Sequence, residues 1–420
     1  MDNYENNKEE IEAIQPSKKL FTKIFYIIAF AAVFALGYQL ATINYTKDFG
    51  NVSGMTISKM NKIEEIAKEN YYKDFDRNKL YDYAESFMIY GLEDPFSYYL
   101  DETGQTEFEE NIEGSYVGVG LTLSPSDSGE IMVIAPFDGS PAMDAGIIKS
   151  DIITKVNGTH YRYDEVEEAI KLMKGKPGDE VTLEIKRENE EPFEVTLKKA
   201  EIAYKSVATE QLRDDTVYAR ISRFDLNTYD DLMEELDKYH IDENTNLILD
   251  LRDNPGGTVV SSVAIADLFM DEGVIVTEKY KNKKDIVEKA TDGYAKIKYP
   301  LILLTNESSA SASEILAGAL KDSKKAIIIG ENTFGKGLIN QRFPLDSKSS
   351  IVLSVAEYET PNGTKIHGVG IAPDIEIPFD YKKSILTLEK EDDVQLKAAL
   401  DYIDMNLKAM ATEEKPDENR

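Results

Sequence analysis

Three short apolar runs in the second half of the chain restrict its fold most: TNLILDLR at 245–252, YPLILLTN at 299–306 and KAIIIG at 325–330. They lack the in-out alternation of a half-exposed strand, so each is expected to be buried on both faces of a sheet. Helical spacing separates them at 229–239, 259–270 and 312–320. Strands alternating with helices predict an α/β core over residues 203–385. Residues 113–202 read differently. There GVGLTLS, EIMVIAP, DIITKVNG, EVTLEIKR and EPFEVTLKK are short strands, and one helix near 163–174 carries Val166, Ala169, Ile170 and Met173 on a single face. With a turn at Pro177-Gly178-Asp179, this predicts a small β-sandwich or barrel-like domain.

Residues 46–112 have helical periodicity, with Ile57, Met60, Ile63, Ile66 and Ala67 in one stretch and Leu80, Tyr83, Ala84, Phe87 and Met88 in the next. Gly91 and Asp94-Pro95 close the second stretch. Apolar helical arms of this kind suit an oligomer interface, and a homodimer is expected. A C-terminal amphipathic helix is expected over 386–411, followed by a polar tail at 412–420 read as disordered.

Residues 24–43, IFYIIAFAAVFALGYQLATI, contain no charge. A helix of that length spans about 30 Å, the thickness of a bilayer's hydrocarbon core. Lys18, Lys19 and Lys23 precede it and Asp48 follows, which places residues 1–23 in the cytoplasm and the remainder outside. The competing reading is a cleaved signal peptide, but the run is longer than an ordinary signal core and lacks a clear cleavage site. A single-pass anchor of the cell membrane with an extracytoplasmic body is expected.

The formal net charge of −30 opposes nucleic-acid binding, which needs Lys and Arg against phosphates. With no Cys, disulfides and thiolate metal sites are excluded. The three His, at 160, 240 and 367, show no metal-binding spacing, so no metal is expected and a His-based triad has few candidates.

Two stretches carry the chemistry: NESSASASEILAGAL at 306–320 and GENTFGKGLINQRFPL at 330–345. Both resemble the C-terminal processing peptidases, also called tail-specific proteases. The resemblance implies a serine protease with a Ser-Lys dyad, Ser311 as nucleophile and Lys336 as general base, on a crotonase-like, ClpP-type core. It also implies that LDLRDNPGG, at 249–257, supplies part of the oxyanion hole. The residues support this independently. Ser311 follows an apolar strand, opens a helix and has small Ala neighbours. Helix N-termini offer free N–H groups and a positive dipole end, so Ala312 N–H can bind an oxyanion, with Gly256 or Gly257 as second donor. Burial lowers a lysine pKa, and Lys336 sits between Gly335 and Gly337 beside Phe334. Each group also has a plainer reading. Ser311 with Glu314 is a capping box, which leaves Glu314 a supporting role. Without the resemblance, Lys336 reads as a surface turn lysine.

In the family a Gln four residues after the Lys helps orient it. Here Asn340 holds that place and Gln341 follows, so either amide is a candidate third member of the catalytic group. A bulge would bring in Gln341. The 330–337 stretch also nearly spells a phosphate-cradling loop, but Gly337 replaces the required hydroxyl and Pro344 argues against a following helix. No nucleotide, metal or other cofactor is expected.

Gly118-Val119-Gly120-Leu121, followed by SPAMDAGIIKSDIITKVNG and the late helix, resembles a PDZ domain. In that family the loop presents N–H groups to a peptide's C-terminal carboxylate, and the peptide adds as a strand. Taken alone, the two glycines read equally as a tight turn. The expected protein is therefore multidomain, with a transmembrane helix, an α-helical arm, a PDZ domain and an α/β protease core. Its expected partners are proteins or peptides with a free C-terminus. The alternative is a catalytically weak peptide-binding scaffold.

Overall fold

The computed structural model describes residues 52–126, 128–137, 139–239, 241, 245–291, 301–379 and 390–413. The expected cytoplasmic segment 1–23, the expected span 24–43 and residues 414–420 of the tail lie outside them. Among the described residues no helix is long and apolar enough to cross a membrane.

The chain divides into two units, Met1–Tyr83 and Ala84–Arg420. The first contains α1 (Val52–Asn70) and the opening of α2 (Arg77–Tyr90). Glu64 joins them, accepting hydrogen bonds from the Tyr81 hydroxyl (2.6 Å) and the Arg77 guanidinium (3.2 Å). Ile57, Ile63 and Ile66 are exposed on α1.

The second unit begins with the end of α2, then β1 (Tyr98–Leu100) and α3 (Glu102–Glu113). Within the stretch expected to be a helical region, 46–112, the chain thus also holds a short strand. Pro95 disfavours helix at the residue before it, a turn closed by Ser97 N–H on the Asp94 carbonyl (3.2 Å) follows, and Tyr98–Leu100 then pair with Val352–Ser350. Asp101 then caps α3 by accepting from Gly104 N–H, and Gly114, at φ 69°, ends it.

The next module comprises β2 (Ser115–Gly118), β3 (Leu121–Pro125), β4 (Ile131–Pro136), α4 (Pro141–Asp144), β5 (Ile152–Val156), β6 (Thr159–His160), α5 (Val166–Met173), β7 (Glu180–Lys186), β8 (Phe193–Lys198) and β9 (Ala200–Ala203). Its antiparallel sheet runs β3-β4-β5-β7-β8, with β6 on β5. Strand β7 shows the pattern that makes it amphipathic: Val181, Leu183 and Ile185 are buried and Glu180 and Lys186 exposed. Ala169 and Met173 of α5 pack on that buried face. Strand β2 pairs with β9 in a separate ribbon that closes the module at its base.

The α/β core comprises β10 (Val207–Arg213), β11 (Thr216–Ile221), α6 (Thr228–Asp237), β12 (Asn246–Asp250), α7 (Val259–Phe269), β13 (Val274–Tyr280), β14 (Ile286–Lys289), β15 (Leu301–Thr305), α8 (Ala312–Asp322), β16 (Ala326–Gly330), β17 (Leu338–Pro344), β18 (Ser350–Glu359), β19 (Ile375–Glu376) and α9 (Val394–Glu413). One sheet runs β10-β11-β12-β15-β16-β19 and is parallel from β11 onward. The apolar runs sit at its centre. Leu247, Leu249, Leu301, Leu303 and Ile328 face α7 and α8, while Ile248, Ile302, Leu304 and Ile329 face Leu396, Ala399 and Ile403 of α9. Burial on both faces is why these strands do not alternate in sequence. A second, antiparallel sheet runs β1-β18-β13-β14, with β17 also on β18.

Strands β12, β15 and β16 are consecutive neighbours pointing the same way. Their carboxyl ends therefore release three loops side by side: 251–258, 306–311 and 331–337. In open parallel sheets, ligand sites form at this edge.

Candidate active site

Ser311 sits at the turn from the loop after β15 into α8. Its backbone is at φ 56°, ψ −112°, a conformation costly for a residue with a Cβ and one that requires external support. The support is Glu314, buried one turn into α8. One carboxylate oxygen, Oε2, accepts from both Ser311 N–H and Lys336 N–H at 2.8 Å. The other, Oε1, accepts from Thr333 Oγ1 (2.6 Å) and Gly335 N–H (2.7 Å). Ser311 and Glu314 form the expected capping box, and Glu314 N–H also donates to the Ser311 carbonyl at 2.9 Å. Burial pushes the Glu314 carboxyl above its ordinary range, opposed by those four hydrogen bonds.

The loop after β12 is held as firmly. Asn254 donates to the Ile221 carbonyl (2.8 Å) and accepts from Gly256 N–H (2.9 Å), while its own carbonyl accepts from Ala310 N–H and Ser313 Oγ, each at 3.0 Å. This separates the two candidate glycines. Gly256 N–H is committed to Asn254, whereas among the described residues no hydrogen bond occupies the N–H of Gly257 or of Ala312. Gly256 is required for a different reason. At φ 101°, a Cβ there would lie 2.7 Å from Ser311 Cβ and 2.9 Å from Ala312 N. At Gly257, φ 142°, a Cβ would fall 1.9 Å from the Phe224 carbonyl oxygen.

Lys336 lies in the third loop, before β17. Gly337 permits a close approach, since a Cβ there would be 2.3 Å from His367 N. The buried Tyr358 hydroxyl donates to the Lys336 carbonyl at 2.5 Å. Burial drives the Tyr358 phenol well above its ordinary pKa, with Glu314 adding and a hydrogen bond with the Ser311 side chain opposing. Burial likewise pushes the Lys336 amine below the ordinary lysine range, while the charges of Asp94 and Glu314 act in the other direction. The Lys336 backbone is thus beside Ser311, but its amine is elsewhere. Nζ lies 5.0 Å from the centroid of the Phe96 ring, and among the described residues no hydrogen bond joins it to Ser311.

Among the described residues no hydrogen bond joins either candidate amide to Lys336. A register shift falls between Ile339 and Asn340, with the extra residue on β18. Asn340 stays directed inward, where Nδ2 donates to the Phe96 carbonyl (2.7 Å) and, more weakly, to Ser354 Oγ (3.4 Å). Gln341 is exposed. Sequence reasoning missed Phe96 and Tyr358. Neither adjoins a motif, and each reaches Lys336 only through the pairing of β1 and β17 on β18.

The Gly118–Leu121 loop lies at the mouth of a groove of about 330 Å³ between β3 and α5, lined by Tyr116, Leu121, Val166, Ile170 and Lys174 among others. The carbonyls of Val119 and Gly120 are bonded by Ala142 and Phe137 N–H, which fixes the loop's shape.

Residues 215–377 match the peptidase family S41, residues 133–187 the PDZ domain and residues 31–104 the activating protease CtpB N-terminal domain. The chain is 36% identical over 368 residues to the carboxy-terminal processing protease CtpA of Bacillus subtilis (strain 168), covering 86% of this chain and 78% of that one. It is 37% identical over 333 residues to the Probable CtpA-like serine protease of Staphylococcus aureus (strain COL), covering 78% and 66%. Among solved structures, the photosystem II D1 C-terminal processing protease is 28% identical, with 76% of this chain and 86% of that one covered and a TM-score of 0.45.

Proposed function

The chain belongs to the carboxy-terminal processing proteases of peptidase family S41, serine-type peptidases whose PDZ domain implies protein or peptide substrates, and on that premise we propose that Ser311 is its nucleophile and Lys336 its general base. The observation that carries the proposal is the shared carboxylate oxygen of Glu314, which ties the two backbones to one point. In this reading Lys336 Nζ swings from Phe96 to Ser311. Ser311 Oγ then attacks the scissile carbonyl carbon as neutral Nζ takes its proton. The oxyanion rests on the N–H groups of Gly257 and Ala312. Collapse breaks the C–N bond, and the Lys336 ammonium gives its proton to the departing amine. Water, deprotonated by the same lysine, then frees Ser311 from the acyl group.

The remaining parts of the proposal concern delivery. The groove behind Gly118–Leu121 captures C-terminal tails, supported by its apolar lining and the glycine loop at its mouth. The charge-free run at 24–43 anchors the enzyme in the cell membrane with its body extracytoplasmic, and the exposed isoleucines of α1 support pairing as a homodimer. The parallel sheet with its site at the strand ends supports the crotonase-like, ClpP-type assignment of the core. A second reading, a weakly active peptide-binding scaffold, is favoured by one observation, the displacement of the Lys336 amine onto Phe96. Proteolysis of an unfolded protein such as casein separates the two. Ser311→Ala abolishes cleavage, and Lys336→Arg is as inactive as Lys336→Ala, because Arg does not deprotonate. An active Arg variant would exclude Lys336 as the base.

A further inference from the structure

The Lys336 amine is not free in the site. Its ammonium sits over the face of Phe96, a ring in the segment between α2 and β1, far from Lys336 in sequence. That ring is set from several sides. Phe96 N–H donates to Asp94 Oδ1 (3.0 Å), and its carbonyl accepts from Asn340 Nδ2 (2.7 Å). Ser97 Oγ donates to Asp94 (2.5 Å) and accepts from Ser354 N–H (3.0 Å), fastening the segment to β18. Phe334 and His367 meet the ring edge-on at 6.4 and 6.3 Å. A ring face attracts an ammonium more strongly than a neutral amine. The contact therefore favours the form of Lys336 that cannot take a proton, in a position from which it does not reach Ser311.

We propose that Phe96 is a positioning residue that parks the Lys336 ammonium away from Ser311, and that Asn340 sets the ring by holding the Phe96 carbonyl. The proposal rests on Lys336 being the base. It assigns Asn340 a role other than touching the lysine: the amide acts on Lys336 through a residue of the preceding segment. The charged and titratable groups that face Lys336 are Asp94 from that segment, Glu314 from α8, Tyr358 from β18 and, behind the ring, His367 from the loop after β18. Asp94 and Glu314 favour the ammonium, as the ring does, and burial opposes all three.

The test is the pH dependence of the rate at which a fluorophosphonate labels the full-length chain. The midpoint of its acidic limb does not depend on how much of a variant folds. Phe96→Leu keeps the apolar cover and removes the ring face, Phe96→Tyr keeps the face, and Asn340→Ala frees the Phe96 carbonyl. With Phe96→Leu the limb moves down by about 0.5–1 pH unit, so labelling below the limb is about three- to tenfold faster. Asn340→Ala moves it the same way, and Phe96→Tyr stays at the wild-type midpoint. If Phe96→Leu titrates as wild type while Lys336→Ala does not label, the parking role is wrong and the dyad stands. If Lys336→Ala labels as fast as wild type, the base is elsewhere and this proposal falls with it.

Discussion

At the scale of single residues, the site is organised by Glu314. Its one carboxylate reaches Ser311, Thr333, Gly335 and Lys336, so two loops that leave neighbouring strands share one anchor. The charge balance around Lys336 makes a prediction with a definite sign. Burial lowers its pKa, and Asp94 is the largest opposing influence. Labelling of Ser311 therefore rises with pH along a limb centred below the ordinary lysine value of about 10.4. Asp94→Asn, which removes the charge and keeps an acceptor for Phe96 N–H, moves that limb to lower pH in a stopped-time labelling series. An unchanged midpoint would show that the Asp94 charge does not reach the amine. In the sequence, Ser311, Lys336 and the glycine loop were picked out by short motifs that resemble a known family, and the structure brings their three loops together at one edge of the sheet. Glu314 was visible only as half of a capping box, because reaching Lys336 depends on the neighbouring strand. Phe96 was not visible, since nothing local to it signals a lysine.

At the scale of elements, the loop after β12 depends on a buried charge cluster that also fixes α9. Arg252, 1% exposed, donates to both oxygens of Asp250, to both oxygens of Asp393 and to Gln395. Asp393 in turn accepts from the N–H groups of Gln395 and Leu396, capping α9. Asp393→Ala leaves a buried guanidinium short of a partner and is expected to cost about 3–5 kcal/mol in urea unfolding. A cost near zero would mean that water replaces the lost carboxylate. Burial raises the Asp250 carboxyl most strongly of any single influence, but the charge and hydrogen bonds of Arg252, with Arg220 and Tyr218, together outweigh it and hold it below the ordinary range. That stabilisation is present above about pH 4, the unfolded aspartate value, and is lost as the pH falls through the folded one. The apolar strands were readable because burial on both faces leaves no other composition for them. Strand β1 was not, because three residues carry no period and their partner lies on β18. The ribbon of β2 and β9 escaped for the same reason, its two strands being separated by the whole PDZ sheet.

At the scale of the whole molecule, the chain joins a PDZ domain to a serine-type peptidase core, and the segment that follows α2 contributes Phe96 to the candidate site. Self-association, if it uses the exposed face of α1, is broken by Ile63→Glu with Ile66→Glu. Light scattering after gel filtration then gives half the wild-type mass, and an unchanged mass would move the interface elsewhere. The central claim, a serine nucleophile served by a lysine, is tested most directly by intact mass and peptide mapping after exposure to a fluorophosphonate. The wild-type chain is predicted to gain a single adduct on Ser311, and Ser311→Ala and Lys336→Ala are predicted to gain none. An adduct on the Ser311→Ala chain at the wild-type rate would contradict the account.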